Sequence, residues 1–309
     1  MFFSGFLAVN FLAYMQAYKM LHYSLNGART IKPEEMNILQ KGLVLFTGVN
    51  LPKPVNSSTP ANFGMGFKNL TYKSGDGVNL SAWVVPHSHP KGLVALFHGH
   101  AASKSQLLNI GKAFHDQGYD LFMVDFRGSG DSDGTKTTLG YDEAEDVKAS
   151  VQTIHEHWPD EKIVLYGQSM GSVAILHAFS RNPLNVKAII LGCPFDSLYH
   201  TVNNRFSIMG LPPFPLADLL LFCGSIQLGF NGFTFRPSED AREVQCPALL
   251  LYGALDRNVL PFESRIIFNH LGGVKKSEEF LNCGHESFQS RDPDQWNKAV
   301  FGFLESIVH

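Results

Sequence analysis

Short apolar runs alternate with longer stretches rich in Ala, Glu and Lys over most of the chain. Each run has the length of a buried β-strand, and the stretches between the runs have the length and composition of helices. This alternation predicts an α/β fold with a mostly parallel central sheet covered by helices. The runs are GLVALF (92–97), YDLFMVD (119–125), KIVLYG (162–167), VKAIILG (186–192) and PALLLYG (247–253).

Two further patterns mark the ends of this sheet. Residues 67–86 read as two strands around a Gly-Asp-Gly turn, which is typical of a hairpin at a sheet edge. The segment KSEEFLN (276–282) is predicted to be the last strand. A final amphipathic helix is expected from about Pro293, and its apolar side chains are expected to lie in the core. These are Trp296, Val300, Phe303 and Leu304.

The N-terminal residues 2–18 contain no charged side chain and are rich in Phe, Leu, Tyr and Ala. The segment is close to the minimum length of a membrane-spanning helix, and it shows no evident secretion signal. Two interpretations stay open: a membrane anchor, or an apolar helix that packs on the folded domain or lies in a membrane interface. If the segment spans a membrane, the basic residues after it place the rest of the chain in the cytoplasm. These residues are Lys19, Arg29 and Lys32.

The remaining chain is expected to form one large domain. Pro and Gly residues among Asn and Ser between 51 and 66 read as a surface connection. We therefore predict an N-terminal apolar helix and linker over 1–60 and one α/β domain over 61–309. Of the 309 residues, 44% are hydrophobic and 17% charged, and the net charge is −3. This composition gives no basic face for nucleic acid.

A candidate nucleophile lies directly after the third apolar run. The pentapeptide GQSMG (167–171) follows the strand KIVLY and opens a credible helix, SVAILHAF. This is the strand–turn–helix setting of a nucleophile elbow, in which a serine sits on a strained turn. A second match, GDSDG (130–134), lies past its strand between two aspartates and reads as a polar loop. Ser169 is therefore the predicted nucleophile, and Ser132 is not.

A serine hydroxyl needs a base to take its proton and a third group to orient that base. Asp256 follows the strand PALLLYG, and His285 follows the last predicted strand. Because the carboxyl ends of parallel strands meet at one edge, Ser169, Asp256 and His285 are expected to converge there. Asp196 is an alternative acid, although we expect it to cap a helix. Asp125 also follows a strand, and it is expected to shape a tight loop with Arg127.

The negative oxygen formed by acyl attack needs backbone N–H donors already in place. One is expected from Met170, the residue after the nucleophile. The other is expected from His100, or less favourably Ala101, in the loop after the first apolar run. His98 is then architectural, since no second ligand stands at metal-binding spacing near it. No metal and no cofactor are expected.

Five motifs together carry a resemblance to a known family: HGH (98–100), DFRGSGDSDG (125–134), GQSMG (167–171), LYGALD (251–256) and CGH (283–285). They resemble the α/β-hydrolase superfamily, and most of all its bacterial esterase and lysophospholipase-like, or serine aminopeptidase-like, branch. The resemblance covers about residues 67–309. It implies the Ser–Asp–His set but no particular substrate, and many such hydrolases carry an N-terminal anchor.

The segment 197–240 is a strongly apolar insertion where this fold usually places a helical cap over the site. Its apolar side chains could line an acyl pocket, although for most of them packing on the helices below is the simpler expectation. These are Phe206, Ile208, Met209, Leu211, Phe214, Leu219, Leu220, Leu221, Phe222, Phe230 and Phe233. A carboxylic ester, favoured as lipid-derived, is the expected small-molecule substrate.

Three functions stay open at this point. The first is an ester hydrolase that works through an acyl-enzyme. The second is a peptidase or amidase with the same three residues. The third is a non-catalytic binding protein on the same fold.

The cysteines indicate the compartment of the protein. Cys193, Cys246 and Cys283 are predicted at strand ends that are too far apart for disulfides. This favours free thiols in a reducing compartment.

Overall fold

An eight-stranded sheet forms the centre of the structure. The computed structural model describes residues 2–31 and 35–307, so Lys32 lies outside the described residues. The strands are β1 (Lys68–Lys73), β2 (Asn79–Val85), β3 (Leu93–Phe97), β4 (Asp120–Asp125), β5 (Ile163–Gln168), β6 (Ala188–Gly192), β7 (Ala248–Gly253) and β8 (Lys275–Phe280).

The strand order is β1-β2-β4-β3-β5-β6-β7-β8. The hairpin of β1 and β2 lies at one edge, and β2 pairs antiparallel with β4. All pairs from β4 onward in this order are parallel. The predicted mostly parallel sheet and its edge hairpin are confirmed. Each of the five apolar runs corresponds to one of the strands β3 to β7, because strands covered on both faces bury every side chain.

Helices lie on the two faces of the sheet and in the segments around it. They are α1 (Phe2–Leu21), α2 (Ile38–Thr47), α3 (Leu108–Asp116), α4 (Glu143–His157), α5 (Met170–Arg181), α6 (Leu198–Met209), α7 (Leu216–Leu228), α8 (Pro237–Asp240), α9 (Pro261–His270), α10 (Phe288–Arg291) and α11 (Pro293–Ile307). Alternate residues of β3 show the two layers: Phe97 packs in the core beneath α4 and α5, and Leu96 packs in the core beneath α3 and α11. The predicted last helix is confirmed as α11, and its four apolar residues are buried.

The insertion between β6 and β7 contains α6, α7 and α8. Several of its apolar side chains pack downward, as expected for most of them. Leu221 belongs to a small core with Val173 of α5, and Phe230 and Phe233 pack against that core. Phe214 and Phe222 point outward instead, with 77% and 55% of their surface exposed.

The N-terminal helix packs on the protein. α1 lies along α7 and contacts α2, and the side chain of Gln227 donates to the carbonyl of Tyr14 at 2.9 Å. The chain after α1 continues beside residues 135–137, where the Tyr23 amide donates to the Thr135 carbonyl. Over the two described ranges, no helix combines the length and apolar content needed to cross a membrane. α2 was not predicted from the sequence pattern.

Candidate active site

Ser169 sits on a sharp turn between β5 and α5, with φ 52° and ψ −114°. A positive φ is strained for a residue with a side chain, so the surrounding structure must hold it there. The flanking glycines allow the close packing that does so. A Cβ at Gly167 would lie 2.5 Å from the Ser172 nitrogen, and one at Gly171 would lie 2.3 Å from the Phe97 carbonyl oxygen. The spacing of the elbow motif follows from these contacts.

The second motif match is a structural loop. The Ser132 hydroxyl donates to the Asp125 carbonyl at 2.6 Å and accepts from the Ser81 amide at 2.9 Å. The side chain is buried, with 2% of its surface exposed. The Ser132 proton is donated to a backbone carbonyl and not to a base, which agrees with the interpretation of this segment as a polar loop.

The structure brings Ser169, His285 and Asp256 together. Ser169 Oγ lies 2.9 Å from His285 Nε2. On the other side of the ring, His285 Nδ1 lies 2.7 Å from Asp256 Oδ2. Since a carboxylate can only accept, the Nδ1 proton points to Asp256 and Nε2 is left to accept the serine proton. The three side chains form one directed chain of hydrogen bonds.

The Asp256 carboxylate is fixed on both of its oxygens. Oδ1 accepts the amides of Asn258 at 2.8 Å and Val259 at 2.9 Å, and Oδ2 faces His285. Asp256 is 3% exposed. Cys193, at the end of β6 with φ 48°, places its sulfur within 4.8 Å of the Asp256 and His285 ligand atoms. Burial, and then the neighbouring Asp256, raise the pKa of this thiol, which therefore stays protonated.

The alternative acids are held elsewhere. The Asp125 carboxylate is fully buried and accepts from the backbone amide and the ammonium group of Lys104. The Asp196 carboxylate lies 2.9 Å from His200 Nδ1. The expectation that Asp196 caps the helix of the insertion was wrong by one residue: the Ser197 hydroxyl accepts the His200 amide and is the N-cap of α6.

The loop after β3 lies directly against the elbow. A Cβ placed on Gly99 would be 3.5 Å from the Ser169 Cβ. His98 is fully buried and braces this loop, because its Nε2 accepts the Phe126 amide at 3.1 Å and its Nδ1 donates to the Gly99 carbonyl at 2.8 Å. Burial lowers the His98 pKa, so the ring stays neutral and keeps one donor and one acceptor. Met170 is buried at the first position of α5.

Sequence reasoning missed the residues that hold the other side of this loop. The Ala101 amide donates to the Tyr23 hydroxyl at 3.1 Å, and the Arg29 guanidinium donates to the Ala101 carbonyl at 3.3 Å. Ala101 has φ 52°. Burial, and then the positive charge of Arg205, lower the pKa of His100 to about 4. No local pattern around Tyr23 or Arg29 signals this contact, since about seventy residues separate them from the loop.

A second group of titratable side chains lies under the insertion. Asp196, His200 and Glu263 bring their side-chain oxygen and nitrogen atoms within 4.8 Å of one another. Asp196 and His200 also border a cavity of about 510 Å³. Burial, and then Asp196, raise the pKa of Glu263 to about 8. The Glu263 carboxyl accepts the Leu260 amide and the Asn204 side chain, so it ties α9 to α6.

The sequence matches one protein family and is similar to several known proteins. Residues 88–212 match a family model described as serine aminopeptidase, S33. Protein bem46 of Schizosaccharomyces pombe is 26% identical over 256 residues, covering 80% of this chain and 80% of that protein. A lysophosphatidylserine lipase of Danio rerio is 24% identical over 252 residues, covering 73% of this chain and 64% of that protein.

Solved structures agree in fold. An esterase of Pyrococcus furiosus superposes with a TM-score of 0.71 at 21% identity, covering 84% of this chain and 98% of the esterase. An esterase of Exiguobacterium antarcticum gives a TM-score of 0.58 at 18% identity, covering 77% of this chain and all of the esterase. The sheet and these superpositions show the α/β-hydrolase fold, and the sequence of the chain is similar to a serine aminopeptidase family and to a lysophosphatidylserine lipase.

Proposed function

We propose that this protein is a serine hydrolase that cleaves carboxylic esters through an acyl-enzyme on Ser169. The observation that carries the proposal is the hydrogen-bonded chain from Ser169 Oγ through His285 to Asp256, with distances of 2.9 and 2.7 Å. The strained elbow supports it, because strained non-glycine residues cluster at active sites. We assign the catalytic domain to residues 61–309, with 197–240 as its cap.

In the proposed mechanism, His285 Nε2 takes the Ser169 proton while Oγ attacks the ester carbonyl. Asp256 stabilises the imidazolium ion that forms. The carbonyl oxygen becomes negative and accepts from the Met170 and His100 amides. We favour His100 over Ala101 because the Ala101 amide already donates to Tyr23. His285 then gives its proton to the leaving alkoxide, and water attacks the acyl-enzyme by the same route.

A lipid-derived ester is the favoured substrate. The insertion above the site is apolar, and a lysophosphatidylserine lipase is among the relatives. The match to a family described as serine aminopeptidase supports a second candidate, a peptidase or amidase with the same triad. The two differ in the leaving group, an alcohol or an amine, so a matched pair of p-nitrophenyl esters and p-nitroanilides separates them. A non-catalytic binding protein would turn over neither.

The test of the proposal is labelling with a fluorophosphonate probe, read by intact mass. The wild-type protein should take up one probe per chain, and Ser169→Ala should take up none. Ser132→Ala is the matched control, since it removes the serine of the other Gly-x-Ser-x-Gly match and should still label at Ser169. Folded wild-type protein that does not label would overturn the proposed activity and favour a binding role.

A further inference from the structure

The outer face of α1 is apolar. Leu7, Phe11, Tyr14 and Tyr18 are spaced four, three and four residues apart, which puts them on one face of the helix. Between 47% and 63% of the surface of each is exposed. Of the other described side chains of α1, Ala17 and Leu21 are buried against the protein. A helix at a water-facing surface normally has the reverse arrangement, with its polar residues outside.

The neighbouring helix α2 repeats this inverted arrangement. Its most exposed apolar side chains are Ile38, Leu39, Leu43 and Phe46, with 85%, 80%, 62% and 70% of their surface exposed. No residue of α2 is buried. The helix therefore contributes almost nothing to the core, although most of its residues are apolar.

Polar contacts hold the two helices together. Gln16 donates to the carbonyls of Val44 and Leu45, both at 2.7 Å, and the Lys19 ammonium donates to the Thr47 carbonyl at 2.5 Å. Polar side chains thus connect α1 to α2 while the apolar ones face outward. Such an arrangement, with apolar side chains outside and polar side chains between the helices, is expected for a surface that contacts an apolar medium.

The charge of the N-terminal region indicates which apolar medium this surface contacts. Residues 1–60 contain five basic and two acidic residues, a net charge of +3, whereas the whole chain has −3 and the rest therefore −6. α1 and α2 carry Lys19 and Lys41 and no acidic residue. Anionic lipid headgroups attract such a region, whereas a second copy would bring like charges together.

We propose that the exposed faces of α1 and α2 form a docking surface for an anionic lipid bilayer. The helices lie in the plane of the membrane, with Leu39, Leu43 and Phe46 of α2 below the headgroups and the exposed tyrosines of α1 at headgroup level. The chain after α1 contacts the active-site loop through Tyr23 and Arg29. A docked protein therefore holds its proposed site within reach of lipid esters.

The test is co-sedimentation of the full chain with sucrose-loaded vesicles of phosphatidylcholine alone, or of phosphatidylcholine with phosphatidylglycerol. All proteins carry Ser169→Ala, so the result does not depend on hydrolysis. Binding should be stronger to the vesicles with phosphatidylglycerol and should fall as salt is added. Leu39→Gln, Leu43→Gln and Phe46→Gln combined should lower the partition coefficient at least about tenfold, because three large apolar side chains no longer enter the bilayer.

The control is Val274→Gln with Leu281→Gln. Both residues flank β8, and they are 68% and 66% exposed. This variant replaces two exposed apolar side chains far from α1 and α2 in the sequence, and it should bind vesicles as the parent protein does. Circular dichroism and thermal unfolding of each variant check the fold. The proposal is overturned if the α2 variant binds vesicles as strongly as the parent protein does. It is also overturned if the parent protein does not bind vesicles and instead forms a dimer that the α2 variant does not form.

Discussion

The hydroxyl of Tyr23 lies 3.1 Å from the backbone nitrogen of Ala101, in the loop that faces Ser169. Tyr23 is 4% exposed, so water does not compete for this contact. Ala101 has a positive φ, and the hydrogen bond helps to hold that strained conformation. The segment after α1 therefore shapes the proposed oxyanion site, although it lies outside residues 88–212 that match the family model.

Replacing Tyr23 with Phe should lower kcat for a short-chain ester about tenfold, with a smaller change in KM. The buried Ala101 amide loses its acceptor, at a cost of about 1–3 kcal/mol, and the loop can relax away from the site. Steady-state kinetics and thermal unfolding measure the two effects.

Tyr72→Phe is the control for this prediction. The Tyr72 hydroxyl bonds to Ser150 Oγ at 2.7 Å, on β1 and α4 and away from the triad. This variant should lose stability and keep kcat. An equal fall of kcat in both variants would mean that Tyr23 acts only through overall stability.

Asp256→Asn should lower kcat about 10³- to 10⁴-fold without unfolding the protein, since an amide can donate to His285 and favour the wrong tautomer. Asp196→Asn is the matched control, because Asp196 also follows the end of a strand but its carboxylate faces His200. Its kcat should stay near that of the wild type. A large loss in Asp196→Asn with little loss in Asp256→Asn would make Asp196 the triad acid instead.

The sequence predicted those features that leave a local pattern. Strands β3 to β7 are covered on both faces, so they read as continuous apolar runs. A Cβ at Gly167 or Gly171 would lie 2.5 or 2.3 Å from a backbone atom, so both positions require glycine. The elbow can therefore be recognised as a sequence motif. The positions of Asp256 and His285 follow from the shared edge at which parallel strands end.

Features made by contacts between distant segments left no such pattern. Tyr23 and Ala101 are 78 residues apart, and nothing near either residue signals the other. α2 was not predicted either, and the sequence alone does not show that its apolar residues face outward, because an apolar stripe has the same pattern whether it faces a core or the surface. The N-cap of α6 was misplaced because Asp196 and Ser197 are adjacent and both suit an N-cap.

The stability of the protein should fall between about pH 4.5 and pH 8 through Glu263. Its pKa is raised from 4.5 to about 8 by burial and by Asp196. In this window the folded state keeps a proton that the unfolded state releases, so each rise of one pH unit removes up to about 1.4 kcal/mol. The contribution is complete below the unfolded pKa and lost above the folded one.

Glu263→Gln mimics the protonated carboxyl and should remove this pH dependence. Its free energy of unfolding relative to wild type should therefore improve from pH 5 to pH 8.5, as measured by urea unfolding at several pH values. Glu243→Gln removes the same charge at an exposed position and should show no such trend. Parallel pH curves for wild type and Glu263→Gln would contradict the raised pKa.

Cys193 should act on the triad by donating its thiol proton toward Asp256. Its positive φ and its burial beside Asp256 and His285 suit a positioning residue, and its raised pKa keeps the proton in place. Cys193→Ala removes a donor from the carboxylate, which then stabilises the imidazolium form of His285 more strongly. The acidic limb of the kcat/KM profile should therefore move to higher pH, with a loss in kcat of less than about tenfold. Cys193→Ser keeps a donor and should keep the wild-type profile. Cys223→Ala, at a buried position of α7, is the control for loss of a buried thiol. Identical pH profiles for Cys193→Ala and Cys193→Ser would show that the thiol only fills space.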